Sequence, residues 1–224
     1  VLTPHLLAMT ATPIPRTLTL SQYGEMDVSR IDELPPGRQA IETRVISDGR
    51  LAEVVDGLER HIAGSGQAYW VCPLVEESEK SDLAAAEERA ATLRSRFGEQ
   101  VGLRHGRVKG PEKDAVMERF QSNQIKILVA TTVIEVGVDV PNASLMVIEA
   151  ADRFGLAQPH QLRGRVGRGS ATSNCLLLRG EAWSETVRAR LTLMRETNDG
   201  FSMAEEDLRL RGAGELLGTR QSGE

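Results

Sequence analysis

The chain has 224 residues, 40% of them apolar and 26% charged, enough for one full domain plus an appendage. Its net charge of −5 excludes a histone-like, broadly basic nucleic-acid binder, although a motor can still grip phosphates through a local groove. Two cysteines with no C-x-x-C or Cys/His cluster argue against a metal site, and no stretch of about 18 apolar residues suggests a membrane span.

Leu6–Thr10 is a short apolar run that stops at Thr-Ala-Thr-Pro-Ile-Pro15, where two prolines forbid a continuing central strand. Residues 16–23 can form a short helix, and Ile31–Gly37 has the composition of a stiff linker. Strands are expected at Ile41–Ile46, Ala68–Pro73, Val101–Arg104, Ile125–Ala130, Leu145–Ile148 and Cys175–Leu178. Between them lie helical stripes. Leu51, Val54, Val55, Leu58 and Ile62 form one, and Leu83, Ala86, Ala90, Leu93 and Phe97 a second. A third helix opens at Pro111 and buries Val116, Met117 and Phe120. Strands without in-out alternation, separated by amphipathic helices, imply an α/β fold whose parallel sheet is covered on both faces. Beyond residue 184, Val187, Leu191 and Met194 mark a helix, and Ser202–Glu205 opens another. The expected result is a helical hairpin outside the sheet, joined by Asn198-Asp-Gly200. Cys72 and Cys175 fall in buried strands, which fits reduced thiols and a cytoplasmic protein.

Three stretches carry chemistry. Gln161-Leu-Arg-Gly-Arg-Val-Gly-Arg168, read as a helix, puts Gln161, Arg165 and Arg168 within about 60° on one face and turns Arg163 the opposite way. Two guanidinium forks on one face suit a polyphosphate, and Gly164 with Gly167 let a neighbouring backbone come close. Thr131–Asp139 follows a strand. There Thr131 can meet a phosphate or sugar and Asp139 a ribose hydroxyl, or the pair can simply cap a helix and a turn. His105-Gly106-Arg107 ends another strand, as either a phosphate-backbone contact or an ordinary solvated loop. No G-x-x-x-x-G-K-[ST] occurs, and Asp32-Glu33 in the linker is a poor Mg²⁺ ligand, so the sequence carries half of a nucleotide-hydrolysing site and no metal site. The absent initiator Met is what a fragment or processed chain would show.

These residues resemble the superfamily 2 helicases: Thr10–Pro13 is similar to motif III, Thr131–Asp139 to motif V and Gln161–Arg168 to motif VI. More narrowly, Thr10–Arg16, Ile31–Arg38, Phe154–Gln158, Asp199-Gly-Phe and Arg211–Gly223 resemble the RecG family, ATP-dependent helicases that remodel branched DNA. The tail is also similar to the hairpin of the transcription-repair coupling factor. The resemblance implies a RecA-like lobe of P-loop NTPase type. Residues 1–38 would end lobe 1 and form the linker, 39–182 would be lobe 2, and 183–224 the translocation hairpin and tail. It implies that Arg165 and Arg168, with Gln161, reach an ATP held with Mg²⁺ mainly by the missing first lobe, and that Gly137 and Asp139 meet its ribose. Thr131, His105 and Gly106 would hold the DNA backbone. Thr10, Thr12, Arg190, Arg211 and Gln221 would couple nucleotide state to DNA grip. Branched or duplex DNA, the first lobe and an N-terminal wedge domain would be the partners of a monomer, with no membrane involved. A coupling-factor lobe, or a RecA-like module that binds DNA or protein without hydrolysis, are the rival readings.

Overall fold

The computed structural model describes residues 36–74, 78–131, 140–169, 171–181 and 184–197, together with positions 7, 9, 27, 29, 31, 33, 136, 202, 203, 205, 206 and 209. Six strands form one sheet: β1 (Ile41–Ser47), β2 (Gln67–Val71), β3 (Val101–Arg104), β4 (Ile127–Ala130), β5 (Ala143–Ile148) and β6 (Ser173–Arg179). Their order across the sheet is β1-β6-β5-β2-β4-β3, and every neighbouring pair is parallel.

Among the described residues, the helices with both ends defined are α1 (Leu51–Ala63), α2 (Glu79–Phe97), α3 (Gly110–Gln121), α4 (Ala157–Arg163) and α5 (Glu185–Glu196). Connections that move one way along the sheet (β1 to β2, β2 to β3) carry α1 and α2. Those that return (β3 to β4, β5 to β6) carry α3 and α4 on the other face, as right-handed crossovers require. Side chains of the central strands alternate between the two layers. Tyr69, Val71, Leu128, Ala130, Met146 and Ile148 pack with Met117, Phe120, Leu162, Leu191 and Met194. Ala68, Trp70, Ile127, Val129, Leu145 and Val147 pack with Val54, Leu58, Ala86, Ala90 and Leu93. Both faces are apolar because both are covered, so these strands read in the sequence as unbroken apolar runs.

The expected hairpin is not a separate body at its first helix. Ser184 caps α5 by accepting from the Val187 amide at 3.2 Å, and Leu191 and Met194 enter the same core as α3 and α4. Among the described residues, no helix is long and apolar enough to cross a membrane.

Candidate nucleotide-clamp site

The helix α4 is shorter than the spacing of its arginines predicts. It ends at Arg163, and Gly164 serves as its C-cap. The chain then tightens into three-residue turns, with the Arg165 amide donating to Leu162 O at 2.9 Å and the Val166 amide to Arg163 O at 3.2 Å. The single helical face expected for Gln161, Arg165 and Arg168 is therefore not formed. Gln161 belongs to the helix, Arg165 to the turn, and Arg168 follows Gly167. Gly167 has φ +79, and a Cβ there would stand 2.9 Å from Ile41 Cγ1. Backbone conformation and contact both demand glycine. One step later, a Cβ at Gly169 would stand 2.6 Å from the Pro141 carbonyl oxygen.

These contacts locate the turn. Because α4 follows β5 and crosses back over the sheet, Gly167 arrives at the first residue of β1 and Gly169 at Pro141, just before β5. The arginine turn thus sits at the amino edge of the sheet. Arg165 is half-buried and Arg168 exposed, its Nε donating to Gly164 O at 3.3 Å. The Arg38 Nη2 donates to the same Gly164 oxygen at 2.7 Å and to Val166 O at 3.5 Å. Pro141 brings the end of the motif V stretch to this edge, but Gly137 and Asp139 themselves lie outside the described residues.

Arg163 does point away from the turn's other arginines, into the protein. It is 3% exposed, and its Nη1 donates to Thr43 Oγ1 at 3.2 Å and to Met194 O. Its Nη2 donates to Thr197 O at 2.7 Å. Met194 and Thr197 lie at the carboxyl end of α5, where unpaired carbonyls and the helix dipole favour a cation. Burial pushes the guanidinium pKa down, with the nearby Cys175 thiol opposing and Arg38 adding to the shift.

A second arginine runs the other way. Arg190 on α5 donates through Nη2 to Asp152 O at 3.4 Å and to Phe154 O, on the turn that leads into α4. That turn is held on two further sides. The Asp152 carboxylate accepts from the Gly180 amide at 3.0 Å, and Arg153 forks onto buried Asp82 at 2.9 and 3.0 Å. Arg153 also donates to Ser78 Oγ at 2.9 Å, and its hydrogen bonding to Asp82 raises its pKa. Arg163, Asp82, Asp152 and Arg153 were not singled out for this network by sequence. The one legible signal was the position of Arg163 opposite Gln161, beside the buried Leu162.

The proposed DNA contacts lie at the opposite, carboxyl edge. Arg104 pairs with Ala130 in register, so Thr131 and His105 follow adjacent strand ends. Thr131 is buried, and its Oγ1 has no hydrogen-bond partner among the described residues. His105 is turned inward: Nδ1 accepts from the Arg107 amide at 3.1 Å, which leaves Nε2 as the N–H donor to Glu87 Oε1 at 3.1 Å. The imidazole therefore shapes its own loop, and exposed Gly106 and Arg107 are what the loop presents. Thr10, Thr12, Arg211 and Gln221 lie outside the described residues.

Comparison with known proteins agrees with the parallel α/β fold. The family model described as the helicase conserved C-terminal domain matches residues 50–170, and that of ATP-dependent DNA helicase RecG, domain 3, C-terminal, matches residues 197–224. The chain is 58% identical over 221 residues to the ATP-dependent DNA helicase RecG of Acidithiobacillus ferridurans and 55% identical over 222 residues to that of Escherichia coli K12. Each alignment takes in 98% of this chain but only 32% of the relative, so the chain spans about a third of these proteins. A solved structure of RecG bound to a three-way DNA junction superimposes with a TM-score of 0.77 at 45% identity, covering 92% of this chain and 27% of that one. Yeast Dbp5 bound to RNA and ADP BeF3 shares the fold, with a TM-score of 0.51 at 16% identity over 78% of this chain and 45% of that one. The parallel sheet and the matching model over residues 50–170 together place this chain in the helicase conserved C-terminal domain family, with RecG helicases among its relatives.

Proposed function

We propose that this chain is the second motor lobe of a RecG-type ATP-dependent DNA translocase that remodels branched DNA. In this reading residues 1–38 end the first lobe and form the linker, 39–182 form the lobe, and 183–224 form the translocation hairpin and tail. The observation that carries the proposal is the arginine turn: glycines at 167 and 169 let the backbone bring half-buried Arg165 and exposed Arg168 to the amino edge of the sheet. The donors offered there are cationic, which suits phosphate oxygens and not Mg²⁺, so the metal and most of the nucleotide belong to the first lobe. ATP supplies the phosphoryl transfer when bound between the lobes. Arg165 and Arg168 approach its terminal phosphate and neutralise the charge that spreads over its oxygens, an effect worth roughly 10³–10⁵ in turnover in such enzymes. Gln161, nearer the helix, accompanies them.

Charge neutralisation draws the lobes together, and loss of the terminal phosphate removes the attraction. The stroke passes to α5 through Arg163 and Arg190, which tie the two ends of α4 to the hairpin. Thr131, whose hydroxyl has no partner among the described residues, and the backbone at Gly106 offer phosphate contacts for the DNA track at the other edge. The match to the RecG domain 3 model over residues 197–224 favours RecG over the transcription-repair coupling factor, and the relative solved on a three-way junction supports branched DNA as the substrate. DNA-stimulated ATP hydrolysis by this chain joined to a RecG first lobe tests the proposal. Turnover should require both lobes and fall by roughly 10³-fold or more with Arg168→Ala, leaving a small measurable residue; robust turnover by this chain alone would refute it.

A further inference from the structure

Two neighbouring sets of contacts join the end of the inter-lobe linker to the arginine turn, and a third lies within the turn. The guanidinium of Arg38 donates to Gly164 O at 2.7 Å and reaches Val166 O at 3.5 Å, so it spans the two peptide carbonyls on either side of Arg165. A Cβ at Gly167 would meet Gln39 O at 3.4 Å and Ile41 Cγ1 at 2.9 Å, so the next residues of the linker exit lie directly under the turn. Arg168 Nε donates to the same Gly164 oxygen that Arg38 holds, at 3.3 Å. The orientation of one carbonyl thereby sets where Arg168 is anchored, and the peptide planes fixed by Arg38 set the direction in which Arg165 leaves the chain. The turn lies beyond the last helical residue and lacks a continuing helical ladder to fix it.

We infer that Arg38 is a positioning residue for the two phosphate-clamping arginines, through which the path of the inter-lobe linker sets their placement. It touches neither nucleotide nor DNA. The inference rests on the reading of Arg165 and Arg168 as the phosphate clamp and adds that clamp geometry and linker path are one mechanical unit. A shift of the linker at Arg38 reorients the Gly164 and Val166 carbonyls and withdraws both guanidinium groups together. Lobe closure and clamp assembly would then occur as a single event, with no sampling of arginine conformers after closure.

The test uses the two-lobe protein with Arg38→Gln, Arg38→Lys, Arg168→Ala and the double variant Arg38→Gln/Arg168→Ala. It measures DNA-stimulated kcat, the KM for ATP and the melting temperature. A misplacement of about 1 Å in a reacting constellation costs up to roughly a hundredfold. Arg38→Gln should therefore lower kcat about tenfold to a hundredfold, with KM within about twofold. Arg38→Lys, which keeps a cationic donor, should recover most of that loss. In the Arg168→Ala background, Arg38→Gln should lower residual turnover by much less than it does alone, because the residue acts through the turn. A wild-type kcat in Arg38→Gln, an equal further loss in the Arg168→Ala background, or a fall in kcat matched by melting and not rescued by lysine would each overturn the inference. If Arg168→Ala itself kept full turnover, the phosphate-clamp reading would fail instead.

Discussion

Arg163 and Thr197 stand 34 residues apart in the chain, yet the Arg163 Nη2 donates to the Thr197 carbonyl oxygen at 2.7 Å, just past the last turn of α5. The same guanidinium takes Met194 O and Thr43 Oγ1 and has almost no contact with water. A lysine cannot reach three acceptors in different directions, and a methionine leaves all three unpaired. Arg163→Met should cost about 3 kcal/mol of stability, since each lost charged hydrogen bond in a buried site is worth about 1.5–3 kcal/mol before relaxation. Hydrogen exchange should show the amides of residues 185–196 losing protection first. Uniform loss of protection across the sheet would mean that Arg163 does not serve α5 in particular.

The glycines of the arginine turn differ in what they tolerate. Gly167→Ala faces a left-handed backbone, costing roughly 1–2 kcal/mol, and contacts with Ile41 Cγ1 at 2.9 Å and Cδ1 at 3.2 Å, of which Ile41→Val removes the second. Adding Ile41→Val should recover part of the loss. Gly169→Ala meets the Pro141 carbonyl oxygen, which is backbone, so no side-chain substitution should rescue it. Melting of the two single variants and the Gly167→Ala/Ile41→Val pair tests this, and rescue of Gly169→Ala by Ile41→Val would contradict it.

The sheet was legible because its signal is local. Tyr69-Trp70-Val71 and Ile127–Ala130 are apolar runs, and α1 and α2 carry stripes at helical spacing, so element types follow from residues close in sequence. What was not legible depends on long-range geometry. The end of α4 at Arg163 is set by Gly164 and Gly167 against β1, and a motif that spaces its arginines like a helix gives no sign of that. The inward turn of His105 depends on Glu87, 18 residues earlier on α2. The rule that ligands gather at the carboxyl ends of parallel strands placed Thr131 and the His105 loop on that edge. It did not anticipate the arginine turn at the other edge, because only the return path of α4 across the sheet decides it.

At the carboxyl edge, Glu149 accepts from Trp70 Nε1 at 2.8 Å and from Arg89 Nη2 at 2.6 Å, while the Arg89 guanidinium also lies 5.5 Å from the Trp70 ring centre. Burial alone would raise the carboxyl pKa, but the Arg89 and Trp70 hydrogen bonds outweigh it and hold the pKa below the ordinary 4.5. A carboxylate lowered in the folded state stabilises the protein above its unfolded pKa, and that contribution is lost as pH falls through the folded value. Glu149→Gln should therefore destabilise the protein at pH 7 by about 1–3 kcal/mol, leaving Arg89 half-buried without its charge partner. The difference from the parent should shrink below pH 4.5. Parallel acid-unfolding curves for the two proteins would show that Glu149 does not supply this stability.

Cys175 gives the opposite sign at the alkaline end. The thiol is fully buried on β6, and burial pushes its pKa up from 9.0 to about 12, with the neighbouring Arg163 guanidinium only partly opposing. A raised folded pKa means that the unfolded chain ionises first as pH climbs past 9, while the folded thiol stays neutral. Stability is thus unaffected below that point and falls progressively towards pH 12, by about 1.4 kcal/mol per unit. Cys72 is also buried and its pKa is raised, chiefly by burial, so neither thiol should be reactive in the native state at pH 8. Alkylation at that pH should proceed at the rate of global unfolding and slow when the protein is stabilised. In Cys175→Ala, the drop in melting temperature between pH 9 and 11 should be shallower than in the parent, even if the variant starts from a lower value. Prompt labelling of Cys175 at pH 8, or an unchanged alkaline slope in the variant, would show that the thiol is not shielded as the packing beneath Arg163 requires.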